Sequence, residues 1–218
     1  MKSELIKRIL TSVILLPALI YSTYYSGLYF ILFLSFIYLL SFYEVIKNTK
    51  NFIFILSSNI ILIFALYSFY FLRGDTNYTL VTIYWILFST FLSDVGGYVF
   101  GRTFKGRKLT RISPNKTYSG SIGSIVFSLA SLIFIDLLQN FYFTKNIINF
   151  YQLKYIFLTI LISIICQSGD LYVSYWKRKA NIKNLSNILP GHGGVLDRID
   201  GLIFVLIFSF IINKFGII

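Results

Sequence analysis

Between Ile9 and Tyr43 the chain carries no Asp, Glu, Lys or Arg, and further uncharged apolar runs recur to its end. A helix that crosses the hydrocarbon core of a bilayer needs about 20 predominantly apolar residues, because lipid cannot satisfy exposed backbone groups and each residue adds only ~1.5 Å of rise. Windows at 10–26, 28–46, 53–72, 79–100, 120–138, 154–174 and 201–217 meet or approach that length. They predict an all-α, polytopic integral membrane protein of about seven transmembrane helices, with two long polar segments on the cytoplasmic side. Hydrophobic residues at 56% and charged residues at 13% exceed and fall short of what a soluble domain of this size uses. Gly27 divides the first run into two pieces, each short for a span, so 10–46 is either two crossings or one partly re-entrant unit. Lys2, Lys7 and Arg8 ahead of that run resemble a secretory leader, yet no small-residue cleavage site follows, and an uncleaved anchor is expected.

The net charge of +12 would suggest nucleic acid as a partner for a soluble chain. In a membrane protein it is first an orientation signal, and no nucleic-acid partner is expected. With a cytoplasmic N-terminus, successive cytoplasmic segments hold three, two, six and five of the 20 Lys and Arg residues, leaving only Arg73, Lys145, Lys154 and Lys214 outside. That asymmetry obeys the positive-inside rule, and moving the count by one span would destroy it. The expected location is the cell's inner (cytoplasmic) membrane, with N-terminus and polar segments in the cytoplasm. Residues 1–218 read as one membrane domain, 1–75 forming anchor helices and 76–218 a catalytic half. The single cysteine, Cys166, excludes an intramolecular disulfide and reads as a packing residue.

Four carboxylates stand where a purely structural role is hard to assign. Asp94 and Asp170 interrupt otherwise apolar spans, where an ionised side chain is costly and faces a partner or a wet cavity. Asp170, Ser174, Lys177 and Arg178 are spaced i, i+4, i+7 and i+8, so they share one helical face, with a carboxylate deep in the span and cations one to two turns further out. Asp197 and Asp200 are three apart and can share a face at the start of the last span. As hard oxygen donors they suit Mg²⁺ beside a polyphosphate, and as helix-terminal acids they equally suit capping. Gly191, Gly193 and Gly194 around the only histidine, His192, let backbone N–H groups approach an anion. Upstream, Gly97 and Gly101 follow a span rather than a strand, so they serve close helix packing and not a nucleotide fingerprint. The cations Arg102, Lys105, Arg107, Lys108 and Arg111 beyond them suit anionic headgroups or a triphosphate.

Ser174, Lys177, Arg178, Lys183 and the run Pro190-Gly191-His192-Gly193-Gly194-Val195-Leu196-Asp197-Arg198-Ile199-Asp200 together resemble the signature of phosphatidate cytidylyltransferases, the CDP-diglyceride synthetases. Asp94 to Arg102, Ser113-Pro114-Asn115-Lys116-Thr117 and Gly169-Asp170-Leu171 are similar to the same family, whereas Asn184 and Ser119 stand where its members carry acidic residues. The resemblance implies that CTP and phosphatidate give CDP-diacylglycerol and pyrophosphate, with Mg²⁺ as cofactor and a second metal or a monovalent cation left open. It implies Asp170, Asp197 and Asp200 as catalytic metal ligands, and His192 and Lys183 as catalytic contacts to phosphate. Asp94, Arg102, Ser113, Lys116, Thr117, Ser174, Lys177, Arg178, Gly193, Gly194 and Arg198 would bind substrate. The bilayer is the other expected partner, and a homodimer is an open option. Three other readings compete: a CTP-dependent polyprenol or dolichol kinase, a CDP-alcohol phosphotransferase, and a secondary transporter using Asp94 and Asp170 as ion ligands.

Overall fold

A computed structural model of the chain describes residues 2–110, 113, 116–143, 147–179, 186, 188 and 193–218. They form seven helices: α1 (Lys2–Tyr25), α2 (Gly27–Asn48), α3 (Phe52–Arg73), α4 (Asn77–Thr103), α5 (Tyr118–Phe143), α6 (Leu153–Lys179) and α7 (Leu196–Lys214). Each predicted window falls on one helix, the first running one residue past α1 and the last three past α7, and α1 and α2 are separate helices hinged at Ser26 and Gly27, both with positive φ. Five of the seven, α2 to α6, are long and apolar enough to cross a bilayer; the apolar part of α1 runs over Val13–Tyr25. The seventh, α7, is 19 residues and opens with Asp197, Arg198 and Asp200, so its first turns bring polar groups into the bundle. The protein is an all-α, polytopic membrane protein.

Successive helices run antiparallel, and contacts distant in sequence tie the same ends together. At one end Arg73, buried where α3 stops, donates from Nε to the carbonyl of Thr23 and from Nη2 to that of Tyr24 at 2.8 Å. Those carbonyls belong to the unpaired last turn of α1, so a cation at this position closes both helix ends. Nearby, Gln139 exchanges two hydrogen bonds with the backbone of Ile148, at 2.7 and 3.1 Å, and donates to Asp136 at 2.9 Å, which fixes the α5–α6 connection. At the opposite end lie the starts of α3, α5 and α7 and the finishes of α2, α4 and α6. One buried core draws Phe30 from α2, Phe69 from α3, Trp85 from α4, Ile135 from α5, Ile162 from α6 and Val205 from α7, so the N-terminal helices share it.

Small and hydroxylic residues bind the spans where lipid supplies no hydrophobic driving force. A Cβ on Gly97 would lie 2.6 Å from Ser124 Oγ, and one on Gly120 would lie 2.9 Å from the Gly97 carbonyl, so α4 and α5 pack almost backbone to backbone. The packing role expected of Gly97 and Gly101 is met, Gly101 lying against Gly120 and Thr117. Ser89 and Ser131 meet at 2.7 Å, Ser93 and Ser163 at 2.8 Å, and Trp85 Nε1 donates to Thr159 at 3.1 Å.

Candidate active site

The site begins at the crossing of α6 and α7. A Cβ on Gly201 would stand 2.6 Å from Cys166 Sγ and 3.0 Å from Asp170 Oδ1, and one on Gly169 would stand 3.2 Å from the Asp200 carbonyl. These two glycines let the helices close until the carboxylates of Asp170 and Asp200 come within hydrogen-bond reach of each other. Asp94 faces the pair from α4, close enough to interact with Asp170, and accepts a 3.5 Å contact from the Cys166 thiol. Cys166 is thus fully buried as expected, and it also supports a site carboxylate.

Lys116 reaches this group from the α4–α5 connection. That connection turns back on itself: Leu109 N–H donates to the Lys116 carbonyl at 2.7 Å, Tyr118 N–H to the Arg107 carbonyl at 3.1 Å, and Lys108 bridges Thr117. Thr117 Oγ1 accepts from Gly120 N–H at 3.1 Å and caps α5, which satisfies one of its first-turn donors. With its neighbour fixed this way, Lys116 Nζ lies 3.2 Å from Asp170 Oδ2.

A second cation arrives at the end of α6. Lys177 Nζ sits 2.9 Å from Asp197 Oδ1 and 3.8 Å from Asp200 Oδ2, so one ammonium bridges the two acids that share a face of α7. Asp197 Oδ2 also accepts the N–H of Gly194 at 3.2 Å, just after Gly193 turns the chain at φ +87°. Neither Asp197 nor Asp200 is the main cap of α7. That role belongs to Glu44, delivered by α2: Oε1 accepts from Val195 N–H at 2.8 Å and from the Ser186 hydroxyl at 2.6 Å, and Oε2 accepts from Leu196 N–H at 2.9 Å. Glu44 is fully buried. It also accounts for Gly194, where any Cβ would meet Glu44 Oε2 at 2.8 Å.

Asp170 already faces Lys116 and Asp200 already faces Lys177, and their carboxylate oxygens, gathered at one helix crossing, are hard donors of the kind a divalent ion takes. Among the described residues no group of three or more Asp, Glu, His or Cys side chains gathers around one point, and Asp197 is held by Lys177 and Gly194. Ser174 is half-buried on the face of α6 shared with Asp170 and Lys177. Arg198 is exposed but near enough to interact with Asp94, and Arg178 is exposed. Ser113 turns the connection, its carbonyl accepting from Lys116 N–H at 3.0 Å. Arg102 is not drawn in: it lies exposed on α4 and donates to Tyr98 at 2.8 Å. His192 and Lys183 lie outside the described residues, as do Arg111 and Asn184. Glu44 is the residue that the sequence pattern did not single out. Its one signal is an acid that ends the long uncharged run just before two lysines, on a face otherwise populated by cations.

The sequence model of the Cytidylyltransferase family matches residues 47–215. Similar proteins include the phosphatidate cytidylyltransferase of Rickettsia felis, 42% identical over 59% of this chain and 56% of its own length. That of Rickettsia bellii is 33% identical over 97% of this chain and 92% of its own. That of Helicobacter pylori is 36% identical over 65% of this chain and 48% of its own. For the Rickettsia felis and Rickettsia conorii relatives the aligned stretch spans 56% and 60% of their length, under two thirds in each case. Glu44 precedes the matched stretch by three residues.

Proposed function

The chain belongs to the cytidylyltransferase family, and from that premise we propose that it transfers the cytidylyl group of CTP to phosphatidate, giving CDP-diacylglycerol and pyrophosphate. The observation that carries the reading is one constellation: the Asp170 and Asp200 carboxylates in contact, with Lys116 and Lys177 on either side, at one end of an apolar helical bundle. In this reaction a phosphate oxygen of phosphatidate bonds to the α-phosphorus of CTP, and the bond from that phosphorus to the bridging α–β oxygen breaks. A phosphomonoester is already anionic at neutral pH, so the nucleophile needs no general base. What opposes the reaction is repulsion between two polyanions, and relief of that repulsion is what acidic and basic side chains at one site can arrange.

Asp170 and Asp200 would hold Mg²⁺, with Asp197 as a third donor once Lys177 turns to phosphate. When bound, the ion neutralises charge on the triphosphate and favours in-line geometry. Lys116 and Lys177 orient phosphate oxygens from opposite sides, the first from the α4–α5 connection and the second from α6. Gly193 leaves backbone room beside Asp197, Gly194 holds Asp197 through its N–H, and Ser174, Arg178, Arg198 and Asp94 line the approach. Lys183 and His192 complete the phosphate contacts in this reading. The charge asymmetry supports a cytoplasmic active site and N-terminus in the cell's inner membrane. Residues 76–218 carry the chemistry, with Glu44 lent by the anchor helices.

Purified protein given labelled CTP, Mg²⁺ and phosphatidate should form CDP-diacylglycerol and pyrophosphate. Release of CDP onto a polyprenol, with no pyrophosphate, would overturn the reading in favour of a lipid kinase. Asp200→Asn should abolish turnover while the protein stays membrane-inserted; near-normal turnover would remove Asp200 from the metal site.

A further inference from the structure

One apolar groove runs along the bundle beside the charged cluster, and it has no part in the chemistry above. The finish of α2, the first half of α3, the end of α6 and the start of α7 enclose it, with Val45, Phe54, Leu62, Trp176, Ile203 and Phe204 among its walls and Lys177 at one end. Its polar residues present little polarity. Asn48 Nδ2 donates to the Glu44 carbonyl at 2.6 Å and Ser57 Oγ to the Phe54 carbonyl at 3.1 Å, each satisfied by its own helix. Phe54 and Trp176 pack ring to ring at 5.0 Å across the α3–α6 boundary. From Phe54 to Leu62 the wall extends about 12 Å along α3. The neighbouring face of α3 exposes Ile53, Leu56 and Ile60, at 76%, 48% and 60%. Such a face belongs against hydrocarbon, so the groove opens to the bilayer rather than to water.

Resting on the cytidylyltransferase reading, we infer that this groove seats one acyl chain of the lipid substrate and that Lys177 joins it to the catalytic cluster. Two features single out a lipid with an anionic head. The walls are apolar along their length, and among the described residues Lys177 is the cation that lines them, its ammonium also facing Asp197 and Asp200, while Lys179 lies over the ring of Trp176. An ammonium has three donors. One is donated to Asp197 at 2.9 Å, and Asp200 stands 3.8 Å away, so the ammonium can turn a donor to a phosphate whose chain lies in the groove. A chain held there places the headgroup at the cluster without lifting it out of the membrane plane.

Ser58, half-buried in the groove wall, supplies the test. Wild type and Ser58→Trp, both in detergent, are assayed with CTP, Mg²⁺ and either dioleoyl or dihexanoyl phosphatidate. Wild-type protein that makes no CDP-diacylglycerol from either lipid refutes the catalytic reading itself. Given an active wild type, Ser58→Trp should lower kcat/KM for the dioleoyl lipid about tenfold, as expected when a few methylenes lose their burial. It should leave dihexanoyl turnover and the KM for CTP within about twofold. An equal effect on both lipids, or none, overturns the assignment. Should the variant not fold, wild-type protein is photolabelled with phosphatidate bearing a diazirine on one chain. Labelling of 54–62 or of 203–204 supports the groove, and labelling confined to other helices overturns it.

Discussion

Replacing Glu44 tests how far the N-terminal helices build the active site. Its carboxylate holds two backbone N–H groups of the first turn of α7 and the hydroxyl of Ser186, at 2.6 to 2.9 Å, in a fully buried position. In Glu44→Ala all three donors lose their acceptor. A buried donor left unpaired costs about 1–3 kcal/mol, and water filling the space relieves part of it, so a total of roughly 3–5 kcal/mol is expected. Glu44→Gln retains an oxygen for Val195 and Ser186 but turns an NH₂ toward the Leu196 N–H. One bond is lost and two donors are opposed, a cost of about 1–3 kcal/mol. The damage should reach catalysis, because the same backbone carries Gly194, whose N–H orients Asp197 against Lys177. At about 1.4 kcal/mol per decade, turnover should fall roughly tenfold in Glu44→Gln and further in Glu44→Ala. Thermal unfolding of detergent-solubilised protein, read beside CDP-diacylglycerol formation, separates the two losses. A double-mutant comparison adds a sharper arm. Gly194→Ala forces a Cβ to 2.8 Å from Glu44 Oε2, so it should harm wild type more than it harms Glu44→Ala. If Glu44→Ala keeps both stability and rate, or if Gly194→Ala costs the same in either background, Glu44 does not position this site.

Two further substitutions probe the scaffold at its two ends. Gly201→Ala places a Cβ 2.6 Å from Cys166 Sγ and 3.0 Å from Asp170 Oδ1, so α6 and α7 must part; turnover should drop on the order of a hundredfold, and Cys166→Ala in the same chain should restore part of it. Full activity in Gly201→Ala would show that the close crossing is not needed. Arg73→Met removes the cation that closes the ends of α1 and α3 far from the cluster, and should cost roughly 2–3 kcal/mol of stability with the KM for CTP unchanged. A raised KM would contradict the separation of the two ends.

How much of this could be read from the sequence depends on what each feature is made of. Helix positions were legible because lipid leaves the backbone few alternatives: the 28–46 and 79–100 windows became Gly27–Asn48 and Asn77–Thr103. The helices overrun the windows at their charged ends, as α6 does through Lys179, because an interfacial helix can continue while its cations stay wet. The shared face of Asp170, Ser174 and Lys177 was legible for the same reason: it follows from helical periodicity alone. The pairing of Lys116 with Asp170 was not, since it depends on how a connection folds back between two spans. Glu44 was less legible still. Its partners are backbone N–H groups about 150 residues away, and a main-chain donor leaves no mark on the residue type.

That difference bears on how the site is held. The acids of α6 and α7 are placed by helix geometry and by two glycines at a crossing, which sets their separation but not the course of the chain leading into α7. Helix packing cannot supply that course, because Gly193 turns the chain at φ +87° just ahead of α7 and the N–H groups that follow it precede any intrahelical partner and need an acceptor. Within α7, Asp197 provides one for the Gly194 N–H, but the cap residue Val195 has no side chain that can. An acceptor from α2 does, and a carboxylate suits the positive end of a helix better than any neutral group. Through Glu44, α2 therefore does more than pack against its neighbours: by fixing where α7 begins, it fixes the direction from which Asp197 meets Lys177.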